Sequence, residues 1–89
     1  MDLERPFALH PQVAVRPEAF GALAYHFGNR RLSFLKSQRL VEVVERLGEA
    51  PDAIAACRAA GVEEEQLPGY RRALEALAEK EMIVPREAA

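Results

Sequence analysis

Apolar residues recur at every second position in the first third of the chain and at every third or fourth position thereafter, so strands are expected first and helices after them. Leu9, Val13 and Val15 keep odd-position periodicity and read as one strand from Leu9 to Arg16, with Pro11 near its start or on an edge. Pro17 to Gly21 reverses the chain. In the next segment Leu23, Tyr25 and Phe27 share one face, and the small Ala22 and Ala24 share the other with His26. Gly28-Asn29-Arg30 supplies a turn, and Arg31 to Lys36 returns as a third strand with Leu32 and Phe34 on one face. Such short connections force neighbours together as an antiparallel meander ordered one, two, three. The bulky set Leu23, Tyr25, Phe27, Leu32 and Phe34 is expected to face the helices; a one-residue slip would exchange the faces and turn Leu35 inward instead.

The period changes at Ser37. This residue can cap a first helix in which Leu40, Val41, Val44 and Leu47 form the apolar stripe, with Gly48 ending it at positive φ. Pro51 suits the first turn of a second helix carrying Ile54 and Cys57, which Gly61 ends. Val62 to Leu67 is a charged connector, and Pro68 opens a third helix whose stripe is Tyr70, Ala73, Leu74 and Leu77. Met82-Ile83-Val84 follows before Pro85. Nothing after Ser37 matches the strength of the earlier strand pattern, so the third strand is expected to have a free edge. The expected fold is α+β and winged-helix-like: a three-stranded antiparallel meander followed by three α-helices, in a single domain over residues 1–89 with strands about 9–36, helices about 38–84 and short flexible termini.

Composition removes several function classes. A net charge of −2 gives no global attraction to nucleic acid or anionic lipid. The opening Met1-Asp2-Leu3-Glu4-Arg5 carries acids and no apolar h-region, so it does not read as a signal peptide. No stretch approaches the ~18 uncharged residues of a membrane span. A cytoplasmic protein is expected. The single cysteine, Cys57, lies at an apolar helix position without a neighbouring base and reads as a small buried hydrophobe. His10 and His26 fall on different strands without a nearby cysteine or a paired carboxylate spacing and read as capping or solvent-facing residues, and Glu63-Glu64-Glu65 reads as a solvated connector. No phosphate loop, metal set or nucleophile-base pair points to an enzyme. A winged helix-turn-helix DNA binder is the alternative with the same parts, but its reading helix would need a groove-facing set of Arg, Lys, Asn or Gln. The second helix offers Arg58 beside Asp52, and the third sets Arg71 and Arg72 against Glu75, Glu79 and Glu81.

The runs "LHPQVAVRPEAFGALAYHFGNRRLSFLKS" and "LPGYRRALEALAEKEMI" carry a resemblance that spans roughly His10 to Val84. The chain resembles the RiPP recognition elements, the peptide-binding domains typified by the chaperone of pyrroloquinoline quinone biosynthesis, and more closely the mycofactocin-system precursor-peptide chaperones. The resemblance implies a non-catalytic chaperone. It would hold the leader of a ribosomally made precursor antiparallel along strand three, in the cleft between that strand and the third helix, and present it to a radical S-adenosylmethionine maturase. Iron-sulfur clusters and S-adenosylmethionine would belong to that partner, with no cofactor, nucleic acid or membrane for this chain. The implied peptide-binding residues are Arg31, Leu32, Ser33, Phe34, Leu35 and Lys36 on the strand and Tyr70, Arg71, Leu74 and Leu77 on the helix. From the residues alone Tyr70, Leu74 and Leu77 read as core by default, some of them able to form the cleft floor, and Arg30, Arg31 and Lys36 flanking strand three read as protection of an open edge against self-association.

Overall fold

In the computed structural model, which describes residues 2–86, the order of elements is β1 (Phe7–Leu9), β2 (Val13–Glu18), β3 (Gly21–His26), β4 (Leu32–Leu35), α1 (Gln38–Arg46), α2 (Ala53–Ala59), a 3₁₀ turn (Glu64–Gln66), α3 (Leu67–Glu79) and β5 (Ile83–Pro85). The expected meander is present as an antiparallel sheet ordered β2-β3-β4 with three helices after it. The expected single strand from Leu9 to Arg16 is instead two. The break falls where the Val13 N–H donates to the His10 carbonyl and His10 Nδ1 accepts from the Gln12 N–H, with Pro11 inside the turn. A second sheet follows from that break: β1 pairs antiparallel with β5, Ala8 opposite Val84. The helical reading of the carboxy-terminal part missed this strand, because three apolar residues beyond a helix have no period to declare them.

Helix ends explain the connections. Ser37 Oγ accepts the Leu40 N–H at 3.0 Å, and Asp52 Oδ1 accepts the Ala55 N–H at 2.7 Å. Pro51 therefore precedes the cap of α2 and does not enter its first turn, since a carboxylate can satisfy an open N–H group and a pyrrolidine ring cannot. The Leu3 carbonyl accepts the first two amides of α2, from Ala53 and Ile54, and the Leu3 side chain is buried, so the chain is anchored from its third residue. Gly61 ends α2 with φ 89°, as expected. Gly48 does not adopt positive φ. The Ala50 N–H donates to the Arg46 and Leu47 carbonyls and satisfies the end of α1 without a left-handed residue.

The sheet faces are the reverse of the expected ones. Ala22, Ala24, His26, Ser33 and Leu35 are buried against the helices, Leu23 and Tyr25 are half-buried, and Phe27, Leu32 and Phe34 are exposed at 63%, 47% and 56%. The reason is volume. Leu3, Phe7, Leu40, Val43, Val44, Leu47, Ile54, Leu74, Leu77, Met82 and Ile83 already fill the core, and α1 packs directly on β3. Only small side chains on β3 allow that approach; bulky ones would overpack it. Gly21 meets the same limit, because a Cβ there would collide with the Leu35 carbonyl oxygen. Leu35→Ala is expected to lower stability by about 2–5 kcal/mol, as a buried leucine does, whereas Phe34→Ala should melt close to the parent. Urea unfolding of the two variants checks the facing; the opposite ranking would mean that Phe34 is the core residue.

Candidate functional site

The sheet has two outer edges, and they are not equivalent. Alternation along β2, fixed by the Phe27 N–H donating to the Gln12 carbonyl, directs the backbone groups of Val13, Val15 and Pro17 away from β3. Pro17 has no N–H, and that of Val13 is already spent on His10, so this edge offers one outward donor, Val15. On the other side the His26 N–H donates to the Arg31 carbonyl, which makes Ser33 and Leu35 the residues bonded to β3 and leaves the amides and carbonyls of Leu32 and Phe34 directed outward. No proline interrupts β4. The edge of β4 is the open one.

Beside that edge runs α3, and a cleft lies between them. One part, of about 350 Å³, is lined by Ser33, Phe34 and Lys36 on the strand side, Leu40 on α1, and Ala73, Ala76, Leu77 and Lys80 on or just beyond α3. It continues past Lys36, Leu40 and Ala73 into a second part bounded by Tyr70, Arg72 and the Glu65–Gln66 turn. Tyr70, Ala73, Leu77 and Lys80 follow helical spacing along one face, and the small Ala73 and Ala76 open the groove. Three cations stand along it. Among the described residues, Lys36, Arg72 and Lys80 make no ion pair, whereas Arg71 points to Glu4 at 3.7 Å and Arg58 pairs with Glu64 at 3.0 Å.

The cleft collects part of the residue set expected from the sequence. Ser33, Phe34, Lys36, Tyr70 and Leu77 line it. Arg31 is exposed at the start of β4, and Leu32 is exposed on the sheet face away from the helices. The Leu35 side chain points into the core and its backbone groups face β3, so it gives the open edge neither. Leu74 is core, and Arg71 lies on the Glu4 side of α3. Leu40, Arg72, Ala73, Ala76 and Lys80 were not read from the sequence as cleft residues. The helical spacing of Ala73, Leu77 and Lys80 from Tyr70 was the available signal.

The hairpin tip fastens strand to helix. Asn29 Oδ1 accepts the Arg31 N–H at 2.9 Å while Asn29 Nδ2 donates to the Lys80 carbonyl at the end of α3 at 3.0 Å. His26 is buried, contrary to a solvent-facing reading, and acts as a cap: its Nδ1 accepts the amides of Gly28 and Asn29 at 3.0 and 3.1 Å. The ring proton then belongs on Nε2, which has no hydrogen-bond partner and lies in a ring 4.3 Å from that of His10. Cys57 is buried in the core, where desolvation pushes its thiol up from the ordinary value against the opposing pull of Arg71 and Arg58. Among the described residues no group of three His, Cys, Asp or Glu side chains could hold a metal ion, and no helix is long and apolar enough to cross a membrane.

Fold and cleft together define a small α+β domain that leaves one strand edge unpaired beside a helix. The chain belongs to the peptide chaperone MftB family, whose model matches residues 6–84. It is 54% identical over 87 residues to the peptide chaperone MftB of Mycobacterium ulcerans, covering 98% of this chain and 80% of the relative. The protein of that name from Mycobacterium tuberculosis is 54% identical over 86 residues, covering 97% and 79%. No solved structure matches the chain. The family read from the two sequence runs is thus the one found.

Asn29 carries two bonds that hold the hairpin against α3, so Asn29→Ala is expected to cost about 1–3 kcal/mol. It should also raise amide exchange at Arg31, as read by hydrogen exchange and urea melts. Parental stability and exchange would mean that the tip is held by other contacts.

Proposed function

We propose that this peptide chaperone is non-catalytic and cytoplasmic, that it binds the leader of a mycofactocin precursor as an added antiparallel strand on β4, between β4 and α3, and that it presents the bound precursor to a radical S-adenosylmethionine maturase. The observation that carries the reading is the asymmetry of the edges: the outward groups of Leu32 and Phe34 are open, while the β2 edge loses its outward donors at Pro17 and at Val13, which is bonded to His10, and keeps that of Val15 alone. β-Augmentation uses such an edge, main-chain bonds giving affinity and alternate side chains giving selectivity. Lys36, Arg72 and Lys80 suit acidic residues in the leader, and they also repel a second copy of the same edge. Metal and S-adenosylmethionine chemistry belongs in this reading to the maturase. Relatives named as peptide chaperones support the peptide partner. DNA reading finds little support, since Arg58 and Arg71 are paired with Glu64 and Glu4.

Proline substitutions test the edge one donor at a time. Ser33→Pro and Leu35→Pro remove bonds to β3 and should unfold the hairpin. Leu32→Pro and Phe34→Pro should fold, yet lose about 1–3 kcal/mol of leader binding, roughly tenfold or more. Circular dichroism scores folding and calorimetry with a synthetic leader peptide scores affinity. Parental affinity in both folded variants would show that the leader does not extend the sheet at β4.

A further inference from the structure

Over β3 and β4 the sheet face turned away from the helices is apolar, which is unusual for strands that meet only water there; on β2 the same face carries the Arg16–Glu18 ion pair at 2.9 Å, which bounds the apolar part. Phe20, Phe27, Leu32 and Phe34 are exposed at 45%, 63%, 47% and 56%, with Leu23 and Tyr25 half-buried beside them. Single exposed apolar residues need no explanation, but a contiguous set marks a contact surface. Two ring pairs organise it. Tyr25 and Phe27 stand edge to face with centroids 5.0 Å apart, and Phe20 and Phe34 are tilted at 6.0 Å. Phe20 sits in the β2–β3 turn, which α1 holds in place through Gln38 Nε2 donating to the Glu18 and Ala19 carbonyls. Phe20, Phe34 and Lys36 enclose an open hollow on this face.

We infer that this face is the second wall of the peptide site: outward side chains of the strand docked on β4 lie against Leu32 and Phe34, and the hollow between Phe20, Phe34 and Lys36 takes a large apolar side chain of the leader. The inference rests on the reading of β4 as the docking edge, and then follows from strand geometry. In an antiparallel pair, residues directly opposite one another project to the same face. Leader residues opposite Ser33 and Leu35 therefore point into the cleft, toward Leu40, Ala73 and Leu77, and those opposite Leu32 and Phe34 point to the aromatic face. A docked strand cannot present only one side. The two walls are also continuous, because Phe34 and Lys36 border both the cleft and the hollow. The ligand class is thereby narrowed to an extended segment with apolar side chains at both parities, unlike the apolar-polar alternation of a strand with one wet face.

Phe20 separates the two walls, since it borders the hollow and not the cleft. Calorimetry with a synthetic leader peptide of a mycofactocin precursor should show Phe20→Ala folded, and binding weaker on the order of tenfold, with Phe20→Trp retaining most of the affinity. Two further leader peptides, with alternate residues replaced by serine in one parity or the other, should both bind weakly. The loss in one parity should be clearly smaller in Phe20→Ala, because the hollow that reads one of those residues is already gone, and the loss in the other should persist unchanged. If Phe20→Ala binds the leader at parental affinity while Ala76→Glu in the cleft abolishes binding, the outer wall is refuted and the docking edge stands. If the parent binds no leader, both fall. A sedimentation mass that doubles with concentration in the parent and not in Phe20→Ala would assign the face to a second copy of the chain and overturn the inference as well.

Discussion

The close packing of α1 on the small inner face of β3 determines most of what the molecule presents to its surroundings. Ala22 and Ala24 are almost wholly buried there, and the apolar volume that a sheet usually supplies comes from the helices, from Leu3 and from Phe7. Because strand side chains alternate, placing alanines inward commits Leu23, Tyr25, Phe27, Leu32 and Phe34 to the other side. The core is thus built at the expense of a wet, apolar sheet face. A bulkier residue at either alanine would lift α1 and, through Leu40, disturb the floor of the cleft.

Position of α3 is the second requirement, since an open edge becomes a groove only when something stands opposite it. The β1–β5 pairing holds the chain that leaves α3, and Arg86 reinforces it by donating to the Phe7 and Ala50 carbonyls. Asn29 ties the hairpin tip to Lys80 at the same end of the helix. On the amino-terminal side of these fastenings Ala73 and Ala76 keep the facing surface low. The groove is therefore held by backbone pairings and one amide side chain, and the large hydrophobic residues of α3, Leu74 and Leu77, remain mostly committed to the core.

Much of this was legible in the residues, and the failures have physical causes. Short turns at Pro17–Gly21 and Gly28–Arg30 fixed the meander and its order, and Ser37, Gly61 and Pro68 marked helix boundaries that the structure keeps. Facing is not legible from bulk, because period 2 identifies two faces without saying which one is inside, and here the bulky face is the outer one. The inward role of Leu35 depended on how much volume the helices would bring. β5 was invisible as a three-residue strand whose partner lies more than 70 residues away in sequence. On α3, Tyr70 and Leu77 line the cleft, whereas Arg71 and Leu74, one and four residues after Tyr70, turn to Glu4 and the core; helical phase separates them, and only the packed structure sets that phase.

Amide hydrogen exchange on β4, resolved by residue and measured with and without a synthetic leader peptide, decides whether the leader adds a strand to this edge. Ser33 and Leu35 donate to β3 and should be protected in both states, while Leu32 and Phe34 should exchange quickly in the free protein and become protected on binding. Binding of the leader with no change at Leu32 and Phe34 would contradict the account.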